Sequence, residues 1–329
     1  MSSSSLRAAT VGHAVSVTTH RAWCASLVHT LPTAGWRTRF APAPTGLLHL
    51  GHVVNAIFVW GLARAYGGQV ALRVEDHDRT RCRPEFEREM LDDLAWLGFD
   101  ADIAPIASYG ADHHTHAYRQ SNNDTRYDEA LSRLTNQSLV FVCDCSRRAI
   151  AELTARSASG EVRYPGTCRA AQRDGAVHLG RRMLMHDGDE CFTDLRLGEF
   201  RHDPSRQCGD VLIRDRHGNW TYQFAVTVDD IAHEIDVIIR GEDLLSSTGR
   251  QQRMATALGR VTPPRVLHHP LIVHDGGAKL SKANHDTSIR DRRAVGDGAP
   301  QLIGEAAYLV GLTPEPTPVS ASDVADLFR

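Results

Sequence analysis

Two short stretches carry side chains whose types and spacing suit phosphate chemistry. Arg39-Phe-Ala-Pro-Ala-Pro-Thr-Gly46 runs into His49-Leu-Gly-His52, where the apolar pattern Val53, Val54, Ile57, Phe58, Leu62 predicts a helix. Imidazoles three apart share one face of a first helical turn. They sit beside open backbone N–H groups and the positive end of the helix dipole, a setting that favours bound phosphate. Gly51 permits close approach of a ligand to the backbone. A structural pair of histidines is the plain alternative, and the preceding strand and Pro-rich loop argue against it. The second stretch is Gly277-Ala-Lys279-Leu-Ser-Lys282-Ala283. Of 37 basic residues only Lys279 and Lys282 are lysines, and they cluster. Compact ammoniums on a Gly-rich loop suit a pyrophosphate leaving group, whose charge grows in the transition state. Read alone, the same stretch is a solvated charged loop.

A third group is Cys143-Asp-Cys145, then Tyr164 and Cys168. Two thiolates, a gap and a third thiolate fit a zinc site completed by a fourth ligand; buried thiols fit equally. Cys191 and Cys208 match no pattern and read as buried thiols. Seven cysteines with no signal peptide before them weigh against a disulfide framework and for a reducing cytoplasm. Asp229-Asp230 fits either polar active-site lining or a strand-end turn and receives no role, and His268 and His269, ahead of Pro270, read as ordinary loop residues.

These groups need a scaffold. Trp36 to Ala41 reads as a strand, Leu50 to Tyr66 as a helix stopped by Gly67-Gly68, and Val70, Leu72 and Val74 as a second strand ending in Glu75-Asp-His-Asp78. This is a βαβ unit, so an α/β fold with a parallel sheet and sites at the strand ends is expected. Pro84 to Leu97 is a further helix. The His113, His114, His116 stretch looks like a surface insertion. A helix near Tyr127 to Thr135 leads to a strand and the cysteines. From Gly209 an alternating pattern returns in Val211, Ile213 and Tyr222 to Val228, followed by a buried strand, Ile235 to Ile239.

The whole-chain numbers agree. At about 150 residues per domain, 329 residues make roughly two. Hydrophobic and charged shares of 42% and 23% exclude collagen-like, coiled-coil and disordered chains. No run approaches the ~18 apolar residues of a membrane helix. A net charge of −3 advertises no global attraction to nucleic acid, although a local patch would suffice.

Taken together, the motifs resemble the class I aminoacyl-tRNA synthetases, and within them the glutamyl branch. His49-Leu-Gly-His52 is similar to the HIGH signature and Lys279-Leu-Ser-Lys-Ala283 to KMSKS. Arg39 to Gly46, Leu72 to Asp78, Thr221 to Asp230 and Val237 to Asp243 resemble stretches particular to that branch. The likeness spans about residues 37 to 290. It implies a Rossmann-like catalytic domain in which Arg39, Phe40, Ala41, Pro42, Ala43, Glu75, Tyr222 and Arg240 form the glutamate site. Arg39 would hold the side-chain carboxylate and Glu75 the α-ammonium, which matches the need for arginine and an acid. His49, Gly51, His52 and Lys282 would contact ATP, with His49, His52, Lys279 and Lys282 catalytic and Mg²⁺ accompanying ATP. Ala43 stands where the family has serine, which removes a hydrogen bond.

The spacing Cys143, Cys145, Tyr164, Cys168 resembles an inserted subdomain of the short glutamyl paralogues, which implies a structural zinc with Tyr164 as fourth ligand. After Ala283 only 46 residues remain, too few for an anticodon-binding domain. The implied domains are a poorly ordered extension (1–35), two catalytic halves (36–135 and 209–290), the zinc segment between them (136–208) and a loose tail (291–329). The implied activity is tRNA-independent activation of glutamate by ATP, then transfer to queuosine in tRNA(Asp). A truncated enzyme charging the tRNA 3′ end, a nucleotidyltransferase with a small acceptor and a non-catalytic binding relative stay open. A cytoplasmic monomer is expected.

Overall fold

The computed structural model describes residues 6–9, 17–110, 116–154, 161–171, 179–274 and 287–329. Lys279, Lys282, His113 and His114 lie outside them. The chain opens with β1 (Leu6–Ala9), antiparallel to Leu271–His274, and α1 (Val17–Thr30). A poorly ordered extension was expected over this stretch. Instead Cys24, Leu27 and Leu31 are buried, and Trp23 Nε1 donates to Leu195 O at 2.6 Å. The surface that orders α1 is assembled from residues far along the chain, which no local pattern reveals.

β2 (Arg37–Phe40), α2 (Leu50–Tyr66) and β3 (Gln69–Leu72) form the expected βαβ unit, with β2 and β3 parallel. α2 is buried on most sides because the sheet lies under one face and C-terminal elements cover the other. It stops at Gly67, left-handed at φ 72°, a conformation open to glycine. α3 (Pro84–Leu97) and α4 (Asp124–Asn136) follow.

Next come β4 (Val140–Cys143), α5 (Arg147–Leu153), β5 (Gly180–Met183), β6 (Glu190–Asp194), β7 (Gly198–His202), α6 (Pro204–Gln207) and β8 (Val211–Arg214). β4, β5 and β8 make a small antiparallel sheet. The β6–β7 hairpin instead joins β9 (Val237–Gly241) and β10 (Arg265–His269) in the order β7-β6-β10-β9. β6 and β9 both run parallel to β10. The segment 136–208 is therefore shared between two sheets, and β8 belongs with the small one.

Tyr222 to Val228, read as alternating strand, lies in α7 (Tyr222–Ala232). Its β-branched and aromatic residues suggest a strand, yet Phe224, Ala225 and Val228 share a helical face packed beside Tyr127, Trp220 and Met254. After α8 (Thr248–Ala257) and β11 (Leu271–His274), the expected loose tail instead forms α9 (Ile289–Ala294) and α10 (Ala299–Leu309). Leu302, Ile303, Ala306 and Phe328 there are fully buried in the main core. A Cβ on Gly61 would meet the Phe328 ring at 2.3 Å, so α2 needs glycine at that crossing. No helix among the described residues is long and apolar enough to cross a membrane.

Candidate active site and cysteine cluster

His49 is the N-cap of α2 and His52 its third residue. His49 Nδ1 accepts from Gly51 N and His52 Nδ1 from His49 N, both at 3.1 Å. A neutral imidazole carries one proton, so both rings hold it on Nε2 and present N–H donors away from the backbone. The ring centroids are 4.1 Å apart. A Cβ on Gly51 would lie 2.9 Å from His49 Cε1, so the glycine makes room for that ring.

A buried ionic network links β2, the end of β3 and α7. Asp230 Oδ1 accepts from Arg39 Nε at 3.0 Å and from Arg73 Nη1 at 2.7 Å. Arg73 Nη2 donates to Glu75 Oε1 at 2.9 Å, and Glu75 N donates to Pro42 O, tying the loop after β2 to the end of β3. Burial works against the Asp230 charge, but Arg39 and Arg73 outweigh it and hold the carboxyl down at about 2. Neighbouring Asp229 is satisfied separately by Gln120, Arg126 and Tyr127. The sequence alone assigns no role to Arg73 or to Asp230.

Arg240, also buried, differs from Arg39. Its Nε donates to His268 Nε2 at 3.0 Å, Nη1 to Gln251 Oε1 at 2.6 Å and Nη2 to Thr248 Oγ1 at 2.8 Å, and it hydrogen-bonds Tyr222. All four partners are uncharged, and among the described residues Arg240 makes no ion pair. Burial accordingly pulls its pKa below the ordinary guanidinium value. His268, read as a loop residue, is fully buried on β10, as is His269.

Arg39, Glu75, Tyr222 and Arg240 thus gather around Asp230. Phe40 does not join them. Alternation along β2 sends Arg39 to the site and Phe40 into the core, tilted on Trp60 at 5.1 Å. Ala41, Pro42 and Ala43 follow as loop. Arg39, Arg73 and Arg240 against Glu75 and Asp230 leave one excess positive charge, which favours a small ligand of net charge −1.

Cys143, Cys145 and Cys168 place their sulfurs within 4.8 Å of one another, with Cys145 and Cys168 at 3.6 Å. A tetrahedral zinc with bonds of about 2.3 Å spaces its sulfurs about 3.8 Å apart, so the donor set fits. The Tyr164 hydroxyl accepts from Cys168 N at 2.9 Å and lies 3.5 Å from Cys143 Sγ. Burial disfavours a thiolate at Cys143, but hydrogen bonds with Tyr164 and Arg182 outweigh it and its pKa falls. Gly209, at φ 66°, lets this unit close, because a Cβ there would sit 2.1 Å from Tyr164 O. Cys208 is buried as expected, whereas Cys191 is exposed on β6. Between the cluster and Tyr222 opens a cavity of ≈ 1140 Å³, lined by His77, Arg81, Cys145, Arg147, Arg182 and Trp220 among others.

Fold and site define a class I synthetase catalytic domain. Residues 36–318 match the family of tRNA synthetases class I (E and Q), catalytic domain, and the chain belongs to it. It is a ligase of that type. Over 301 residues it is 38% identical to a Symbiobacterium thermophilum protein named Glutamyl-Q tRNA(Asp) synthetase, covering 88% of this chain and 91% of that one. A protein of the same name from Nitratidesulfovibrio vulgaris is 35% identical over the same shares. Glutamate–tRNA ligase 2 of Syntrophus aciditrophicus is 37% identical over 83% of this chain but only 57% of its own. The solved glutamate–tRNA synthetase of Elizabethkingia anophelis superposes with a TM-score of 0.72 at 25% identity, over 89% of this chain and 66%, just under two thirds, of that one.

Proposed function

We propose that the protein activates glutamate with ATP and then transfers it to the queuosine base at the wobble position of tRNA(Asp). The observation that carries the first step is the buried Arg240 cation, surrounded by neutral partners within a site of one excess positive charge. Glutamate, with two carboxylates and one ammonium, is its charge complement. Arg240 and Tyr222 take a substrate carboxylate, Arg39 lies on the other side, and Glu75 faces the ammonium. The α-carboxylate attacks the α-phosphorus of ATP, which enters with Mg²⁺, and pyrophosphate leaves. The Nε2–H groups of His49 and His52 stabilise the charge that develops on the phosphates, together with Lys279 and Lys282.

A hydroxyl of the queuosine cyclopentene diol then attacks the adenylate carbonyl and AMP departs. The cavity beside Tyr222 gives that nucleoside its approach, and the names of the relatives support the choice of acceptor. Cys143, Cys145 and Cys168, with Tyr164 as fourth ligand, would hold a structural zinc that fixes the wall of this cavity.

The test is transfer of radiolabelled glutamate to tRNA with and without queuosine. Label that needs queuosine, and that disappears when periodate first destroys the diol, is the expected result. Label on queuosine-free tRNA at its 3′ end would make the chain a minimal charging enzyme instead.

A further inference from the structure

Arg240 is a long side chain at the end of β9, and a useful receptor only if its guanidinium is held in one orientation. The group that holds its Nε is His268, and what fixes His268 is Asp194, from a strand 74 residues away. Asp194 Oδ1 accepts from the backbone N–H of Arg196 and of Leu197, both at 2.9 Å. Its Oδ2 accepts from His268 N at 3.0 Å and from His268 Nδ1 at 2.7 Å. With four donors the carboxylate is rigid, and all three side chains are buried.

We propose that Asp194 and His268 are positioning residues that preset Arg240 as the receptor for the amino-acid carboxylate. The tautomer of His268 sets the direction of this relay. Asp194 requires the His268 proton on Nδ1, so Nε2 must be a lone pair, and that lone pair accepts the Nε–H of Arg240. Burial and the adjacent Arg240 push the His268 pKa down to about 4, so the ring stays neutral and keeps this polarity. Were the ring turned to the other tautomer, two N–H groups would oppose each other and the guanidinium would lose its orientation. This inference rests on the glutamate reading of the site.

Asp194→Asn keeps the shape but turns a donor toward Nδ1, which forces the wrong tautomer. His268→Asn keeps a donor for Asp194 and loses the acceptor for Arg240, whereas His268→Gln places an amide oxygen where Nε2 was. Glutamate-dependent ATP–pyrophosphate exchange reads both Michaelis constants and kcat, with melting temperatures alongside. The expected result is a KM for glutamate raised about ten- to hundredfold in Asp194→Asn and His268→Asn, the loss of one charge-assisted hydrogen bond, with KM for ATP little changed. His268→Gln should recover much of that loss. Equal behaviour of the Asn and Gln variants, or a matching rise in KM for ATP with a fall in kcat, would overturn the relay and leave a structural role. If Asp194→Asn does not fold, the His268 pair decides. Arg240→Gln separates the two ideas: an unchanged KM for glutamate there would overturn the reading of the site and the relay with it. A raised KM there, with normal His268→Asn, would overturn the relay alone.

Discussion

Arg240→Gln and Asp230→Asn should have opposite signatures, although both remove a buried charge from one site. Arg240 has neutral neighbours in His268, Gln251, Thr248 and Tyr222. Replacing it breaks no direct ion pair among the described residues, and it removes a cation that burial already disfavours. Asp230 is the shared counter-ion of Arg39 and Arg73. Neutralising it leaves two buried guanidiniums undercompensated, which costs about 3–5 kcal/mol, or on the order of 5–15 °C in melting temperature. For function the order reverses. Without Arg240 a desolvated substrate carboxylate loses its cation, about 3–4 kcal/mol, or a fall of about 10²–10³-fold in kcat/KM for glutamate. The assays are glutamate-dependent pyrophosphate exchange and calorimetric melting. Arg240→Gln should melt within a few degrees of wild type, or above it, while losing activity; Asp230→Asn should melt far lower. An Arg240→Gln protein as unstable as Asp230→Asn would mean that its charge is compensated after all. Activity within about threefold of wild type would remove Arg240 from the substrate site.

Three further outcomes follow from the same geometry. Burial depresses His233 to about 3 and His268 and His269 to about 4. Below pH 6.5 the unfolded chain binds protons that the folded one refuses, so stability should fall from pH 6.5 toward 4 with a slope of up to three protons; a melting temperature flat over that range would contradict it. Cys168→Ser should abolish bound zinc by metal analysis, and Gly209→Ala should weaken it through the clash with Tyr164 O. Equal zinc in Cys168→Ser and wild type would sink the site. Deleting residues 1–34 removes Cys24, Leu27 and Leu31 from the core and should lower stability by several kcal/mol in denaturant titrations.

Local elements were legible in the sequence wherever the deciding signal was local. Leu50–Tyr66 and Pro84–Leu97 carry their own periodicity and their own stops, and their bounds match the reading. The cysteine cluster was legible through spacing, because a short chain segment between Cys143 and Cys168 suffices to bring the sulfurs together. α7 was misread since its composition favours strand, and what decides it is the packing of Phe224 and Val228 against Tyr127 and Met254. The ends of the chain were misread for the related reason that their partners are distant: Trp23 stacks edge-on with Phe328, and the Tyr66 hydroxyl lies within hydrogen-bond distance of both Cys24 O and Phe328 O, 2.9 and 2.6 Å away.

The same distinction explains which site residues escaped notice. Arg39, Glu75 and Tyr222 stand in recognisable stretches at the ends of elements, where side chains would reach a ligand. Asp230 acts through Arg39, 191 residues away, and Asp194 through His268, 74 residues away. Neither would need to touch a ligand, so no chemical type or spacing advertises it. An aspartate beside an arginine in sequence is a weak surface pair; the same two groups in a dry interior set each other's charge and direction. Residues that bind can therefore be sought in motifs, while the residues that aim them emerge only once the strands are in register. In this protein that division falls between Arg240, named from its Arg-Gly-Glu-Asp stretch, and His268, dismissed beside a proline although its ring sits 3.0 Å from the Arg240 Nε.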